Sequence, residues 1–252
     1  MNNRIIYLLA VLTINVTAQV NIEKYRTPED LRGIGGYLEI SGTIQSGNAE
    51  KTEGALDARL DWKTAKTTTF FVFKSNHEWI DGDRLSSEGL LHIRNVIGLI
   101  ENLSSEIFGQ INYDKKILVD DRELIGAGLR FKILGFEKSD VTFGTSYMFE
   151  HEKYNLPNNW SHHKEVNVSR WSNYLSLFLE FGSHAHFGGV IYYQPVINTF
   201  TDFRILSENT LNVSLTQLLS LSLNSRFRYD SDPPDGIKKT DAKTDFGIVL
   251  KF

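Results

Sequence analysis

Beyond Gly33 this chain alternates apolar and polar residues one for one through segment after segment, and the polar side of the alternation is heavily charged. In Tyr37-Leu38-Glu39-Ile40-Ser41-Gly42-Thr43-Ile44-Gln45, one face carries Leu38, Ile40 and Ile44 and the other Glu39, Ser41, Thr43 and Gln45. A repeat of two is the side-chain period of a pleated strand. Leu56, Ala58, Leu60 and Trp62 oppose Asp57, Arg59, Asp61 and Lys63 in the same way. Ile125, Ala127, Leu129, Phe131 and Ile133 oppose Gly126, Gly128, Arg130 and Lys132, while Leu219, Leu221, Leu223, Phe227 and Tyr229 oppose Ser220, Ser222, Asn224, Arg226 and Arg228. With 16 Phe, 10 Tyr and 19 Gly against 5 Pro, the composition favours pleated structure with tight turns.

A soluble sandwich also alternates, but its strands are about five or six residues long. Many runs here reach about ten to fourteen, the length of a tilted strand crossing a bilayer. In a membrane barrel the apolar face meets lipid and the charged face lines the lumen. Trp62, Trp79, Tyr113, Tyr147, Phe149, Trp171, Phe181, Tyr193 and Tyr229 sit where interfacial aromatic girdles are expected. Strands are expected near 34–46, 54–64, 69–80, 87–99, 105–114, 123–133, 141–151, 169–182, 185–196, 202–215, 219–230 and 242–252. The least regular stretch is 197–218, where Ser207-Glu208-Asn209 interrupts the apolar face. Connections 47–53, 81–86, 115–122, 152–168, 197–201 and 231–241 read as long and the intervening ones as mostly short, which places both termini in the periplasm. The expected fold is all-β: a transmembrane antiparallel up-and-down β-barrel of twelve strands over 34–252.

The N-terminus reads as an export signal over 1–18. Arg4 supplies the positive charge of its first region, an apolar stretch runs from Ile5 to Ile14, and Val16-Thr17-Ala18 puts small residues ahead of a cut near Gln19. That stretch is too short for a membrane anchor, which needs about 20 residues. Residues 19–33 then read as a periplasmic segment. Export with no cysteine at all suits a bacterial envelope and excludes thiol catalysis and cysteine-rich metal sites. A net charge of -4 gives no reason to expect a nucleic-acid partner. The expected location is the bacterial outer membrane, with its lipid as surroundings and a monomer as the default state.

The charged positions that the alternation sends inward are Glu39, Asp57, Arg59, Asp61, Lys74, Glu78, Arg94, Arg130, Lys132, Glu150, Arg170, Glu180, Asp202, Arg204, Arg226, Arg228 and Asp245, with Lys63, Glu88, Asp114, Glu208, Asp230 and Lys251 beside them. The signs nearly cancel. A selective anion channel needs a ladder of one sign, whereas mixed signs in a narrow barrel suit cross-strand ion pairs that partly fill the interior. At the other end of the chain, Phe246, Ile248, Leu250 and Phe252 alternate with Asp245, Gly247, Val249 and Lys251, so the last strand ends on an aromatic at the lipid-facing edge. This resembles the terminal signal that barrel-assembly machinery recognises.

Two adjacent imidazoles in Trp160-Ser161-His162-His163, with His151 and Glu165 nearby, lack a third ligand at defined spacing and read as a solvated outer loop. His184 and His186, Asp81-Gly82-Asp83 and Asp120-Asp121 read likewise as turns or loops. No metal or cofactor is expected. A lipid-hydrolysing barrel would need a lipid-facing Ser beside an oriented His; no His stands two residues before a Ser on an outward face, and Ser161 precedes His162 inside a loop.

Ser46-Gly47-Asn48, Asp121-Arg122-Glu123 leading into Gly126-Ala127-Gly128-Leu129, Tyr193-Gln194-Pro195 followed by Asp202-Phe203-Arg204, and Tyr229-Asp230-Ser231 with Pro233-Pro234 and Lys238-Lys239-Thr240-Asp241 before the terminal Phe252 look like one family. The chain resembles the "domain of unknown function 481" family of bacterial outer-membrane proteins, some described as salt-induced. The resemblance implies a barrel and an envelope or salt-stress setting. It implies no settled activity and carries over no catalytic residue. The expected protein is therefore a non-enzymatic barrel with a mixed-charge, partly filled lumen. The alternatives are a small-solute diffusion channel and a lipid-hydrolysing enzyme.

Overall fold

The computed structural model describes residues 21, 22, 24, 32–46, 50–81, 83–136 and 139–252, without the side chain of Arg84. The proposed export signal over 1–18 lies outside them. Twelve strands form the fold: β1 (Gly33–Gln45), β2 (Lys51–Lys63), β3 (Thr67–Ile80), β4 (Asp83–Ile100), β5 (Leu103–Asp114), β6 (Val119–Phe136), β7 (Ser139–Tyr154), β8 (Glu165–Phe181), β9 (Ala185–Val196), β10 (Thr199–Ser214), β11 (Leu219–Asp230) and β12 (Thr240–Lys251). Each pairs antiparallel with its sequence neighbours, and β12 returns to β1, closing an up-and-down barrel. Closure removes the sheet edges that a bilayer would otherwise leave without hydrogen-bond partners.

The alternation places side chains as the sequence suggests. Leu60, Trp62, Phe71, Phe73, Ile107, Ile125, Ile191 and Ile248 are exposed on the outside, while Asp57, Arg59, Asp61, Lys74, Glu78 and Arg94 are buried within. Contiguous apolar cover of this extent marks a surface that faces lipid or a partner, not water. Ser207 and Asn209, which interrupt the apolar face, do not break β10; both face outward, and the Asn209 amide donates to Ser207 Oγ at 3.1 Å.

Several boundaries differ from expectation. β4, β6 and β8 start earlier than the apolar runs because their N-terminal ends include polar residues still held by ladder bonds. Connections expected to be long at 81–86 and 197–201 shrink to 81–82 and 197–198. Asp81 takes a left-handed conformation at φ 52°, which makes the first of these a tight turn. The long connections are 155–164 and 231–239; both lie at the end of the barrel opposite the C-terminus, with 46–50 and 115–118.

Of residues 19–33, expected as a periplasmic segment, Arg32 is exposed and Gly33 begins β1, whereas Asn21, Ile22 and Lys24 lie inside the barrel, with Asn21 and Ile22 2% exposed and Lys24 5%. Ile22 joins Phe70, Val72, Leu90, Tyr174, Val190, Tyr192 and Leu206 in one buried cluster. The lumen therefore contains an apolar core as well as charge.

Candidate functional site

The lumen is stacked in layers. At the long-loop end, Ile117, Val119, Tyr154 and Leu156 form a cluster joined by Trp160, Val166 and Ile237. Two loops are tied together over it. Asp235 accepts hydrogen bonds from the Ser161 hydroxyl at 2.8 Å, from the Ser161 backbone N–H and from the His162 N–H at 3.3 Å. Gly236, at φ 78°, brings the backbone under the Trp160 ring, where an added Cβ would lie 3.0 Å from the indole. The Trp160–His163 stretch is thus partly packed and not simply solvated: the His162 ring stands edge-on to Tyr154 at 5.0 Å, and its Nδ1 pairs with the His163 carbonyl at 2.8 Å.

Hydrogen bonds from Ser161 hold the Asp235 carboxyl below the usual carboxylate range. A depressed folded-state value means the clasp is intact above the ordinary carboxylate pKa and is lost as pH falls through the lowered one. Asp235→Ala should therefore speed cleavage within 155–164 by added protease at neutral pH. The wild-type loop should approach that rate only in acid; equal rates at neutral pH would refute the clasp.

Below this cap Glu150 accepts from guanidinium groups on three other strands. Arg122 of β6 donates through Nε at 2.9 Å and also through Nη2, Arg170 of β8 donates at 3.0 Å, and Arg204 of β10 donates at 2.8 Å. Glu152 takes a second Arg204 nitrogen at 2.9 Å and the Tyr154 hydroxyl at 2.9 Å. Asp230 accepts from Arg204 at 2.9 Å and from Arg228 at 2.6 Å, and Asp202 from Arg170 at 3.1 Å. Charge is matched locally, and the bonds cross from wall to wall. In low dielectric such a network is strong when complete and costly when broken.

The next layer centres on Arg94 and His92, both 0% exposed. Arg94 donates to Glu106 at 3.0 Å and lies over the Phe108 ring at 4.5 Å, and Tyr174 donates to the same Glu106 oxygen at 2.9 Å. His92 stacks between Phe70 and Phe108, each ring centroid 6.1 Å away. Arg130 approaches Glu106 at 3.9 Å.

Longer chords tie nearly opposite walls. Lys74 of β3 pairs with Glu208 of β10 at 2.8 Å, and Arg226 of β11 reaches Glu88 of β4 at 3.8 Å and Asp245 at 3.4 Å. Glu78 is met by Lys51 at 2.8 Å, and Glu53 by Lys243 and the Asn76 amide. Glu39 crosses β12 to accept from Ser222 and Asn224 of β11; Gly247 makes room, since a Cβ there would lie 2.1 Å from the carboxylate. Arg59 forks onto Asp61 at 2.7 and 3.1 Å. At the C-terminal end a cavity of about 250 Å³ remains, lined by Lys63, Arg130, Lys132, Asp140 and Glu101 among others. Glu180 lies near that end of β8 and is only half-buried.

Of the charged positions named from the sequence, Glu39, Asp57, Arg59, Asp61, Lys63, Lys74, Glu78, Glu88, Arg94, Asp114, Glu150, Arg170, Arg204, Glu208, Arg228 and Asp230 are buried, whereas Arg130, Lys132, Glu180, Asp202, Arg226, Asp245 and Lys251 are half-buried. Buried charged residues outside that set are Glu53, Glu106, Arg122, Asp140, Glu152, Asp241, Lys243 and Lys24. Arg122, Asp140, Glu152, Asp241 and Glu53 lie one residue outside the expected strand limits, where the alternation continued by one step reaches them. Nothing in the pattern signalled Lys24. The reverse of the His-x-Ser order, Ser75-Asn76-His77, brings the Ser75 hydroxyl 3.2 Å from His77 Nε2 on the outward face. The His77 ring leans on Trp79 at 5.8 Å. Among the described residues no three His, Asp or Glu side chains gather as a metal-binding set.

Comparison with curated proteins finds no match. Among solved structures, the NanC porin aligns at 11% identity and TM-score 0.51, covering 85% of this chain and 98% of that one. The KdgM porin in complex with disordered oligogalacturonate aligns at 10% identity and TM-score 0.45, covering 87% and 99%. The translocator domain of the autotransporter NalP from Neisseria meningitidis aligns at 11% identity and TM-score 0.42, covering 89% and 90%. At such identities the likeness to the NanC porin is one of fold, that of an outer-membrane barrel. The resemblance seen in the residues has its counterpart at the level of the whole sequence: the family model described as "Protein of unknown function, DUF481" matches residues 38–252, almost the entire barrel, and the chain belongs to that family.

Proposed function

We infer that this outer-membrane barrel is closed in its resting form and serves the envelope as a barrel with a filled interior, neither an open porin nor an enzyme. One observation carries the reading: the Lys74–Glu208 and Arg226–Glu88 pairs join strands on nearly opposite sides of the ring, across the line a solute would travel. Mixed signs on the chords support it further, because a conducting pore is favoured by an uninterrupted field of one sign. The Ser75–His77 pair on the outward face is the feature that would favour lipid hydrolysis, and hydrolysis of a phospholipid by the purified barrel would replace this reading with the enzyme. The surroundings in this reading are outer-membrane lipid, with barrel-assembly machinery engaged during biogenesis and a monomer as the working unit. Buried pairs are screened by salt far less than surface ones. A filled lumen therefore suits an envelope exposed to changing salt.

The test is ion flux through the purified protein in planar bilayers. Wild type should give no resolved conductance steps at low or high salt. Reproducible steps from the wild-type barrel would replace this reading with the diffusion channel.

A further inference from the structure

Asn21, Ile22 and Lys24 belong to no strand, yet the barrel wall receives each through a different kind of contact. Glu208 accepts the Asn21 backbone N–H at 3.1 Å, and the Asn21 side-chain amide donates to the Gly188 and Glu208 carbonyls at 3.2 and 3.1 Å. Ile22 enters the apolar cluster of the lumen, and its carbonyl accepts from Arg59 at 2.7 Å. Lys24 brings its ammonium 2.5 Å from Glu39 and 2.6 Å from Asp57, carboxylates of β1 and β2 that are themselves buried.

These contacts make a ligand site: a carboxylate pair for a cation, an apolar socket beside it, and backbone carbonyls that take a side-chain amide. Two buried carboxylates side by side repel one another, and a cation held between them offsets that repulsion. A strand side chain would be fixed in that place by the ladder, whereas Lys24 reaches it from a segment outside the sheet. We propose that the lumen holds a binding site for an alkylammonium group on a short aliphatic stem, with the chain's own Ile22 and Lys24 as resident occupants, so that the Lys24 side chain and a free amine of that shape exclude one another. Anions are rejected by Glu39 and Asp57, and strongly hydrated inorganic cations gain nothing from the socket around Ile22. The inference rests on the closed-lumen reading and adds what closes it at mid-barrel.

The experiment is chemical rescue in the assembled barrel. Lys24→Ala removes a propylammonium group, so the variant should unfold at lower temperature than wild type. Millimolar propylamine should restore most of the loss, and propanol, its neutral counterpart, none. Equal effects of the two compounds, or no loss on substitution, would overturn the site. A second measurement covers a variant that fails to assemble. The natural chain has no cysteine, so Ile22→Cys can be labelled uniquely with a membrane-impermeant maleimide. It should react slowly beside Ser46→Cys, at a position exposed to solvent, and cadaverine, but not pentanediol, should accelerate it. Indifference to cadaverine would sink the exchange. Conductance by wild type would defeat the closed-lumen reading, while absent rescue in a silent barrel would defeat the amine site alone.

Discussion

Glu150→Gln should cost the assembled barrel about 3 to 5 kcal/mol, the penalty typical of removing one partner from a buried ion-pair network. The substitution keeps side-chain volume and removes the charge that Arg122, Arg170 and Arg204 share. Those guanidinium groups come from β6, β8 and β10, so the loss is felt on three strands at once. Glu152, Asp202 and Asp230 retain some of the pairing, which keeps the effect from growing larger. Arg226 makes longer contacts, at 3.4 and 3.8 Å, and Arg226→Gln should cost less than Glu150→Gln. Urea unfolding of detergent-folded protein, followed by the heat-modifiable gel shift, measures both. An unchanged midpoint for Glu150→Gln would mean that the cluster is hydrated and contributes little.

Deleting Phe252, or changing it to Asp, should sharply lower the amount of barrel reaching the membrane while synthesis and export continue. The seam it completes is the shortest ladder of the barrel: β1 and β12 are paired only from Tyr37↔Lys251 to Ser41↔Gly247. Beyond that ladder the Phe252 backbone adds a reciprocal pair of bonds with Gly36, at 3.0 and 3.2 Å. Its ring reaches back over Gly36, close enough that a Cβ there would lie 3.1 Å from it. Phe252 thus lengthens a closure whose unpaired groups would otherwise meet lipid, and it is 71% exposed on the outside. Phe246, Ile248 and Leu250 face the same way, forming the outward row expected to be read during strand addition. Immunodetection of the variant in outer-membrane fractions gives the answer. Normal levels would restrict Phe252 to anchoring in the finished barrel.

Strand identity, the inward and outward sets, and closure on a C-terminal aromatic were legible in the residues because all follow from a local period of two. Leu38 and Glu39 need no distant information to face opposite ways. Who pairs with whom across the lumen was not legible, since Lys74 and Glu208 stand 134 residues apart and meet only once ring closure and strand stagger are set. The inward aromatics were obscured for a related reason. Phe108, Tyr174 and Tyr192 sit on the charged face, and period two sorts positions by parity without saying that a lumen wide enough to hold them needs filling. Strand limits at Arg122 and Glu152 went beyond the apolar runs because ladder hydrogen bonds, unlike side-chain hydrophobicity, continue through polar residues. The N-terminal segment lay furthest from reach. Asn21, Ile22 and Lys24 show no alternation, and their place became defined only when the closed wall brought Glu39, Asp57, Glu208 and the apolar socket to converge on them.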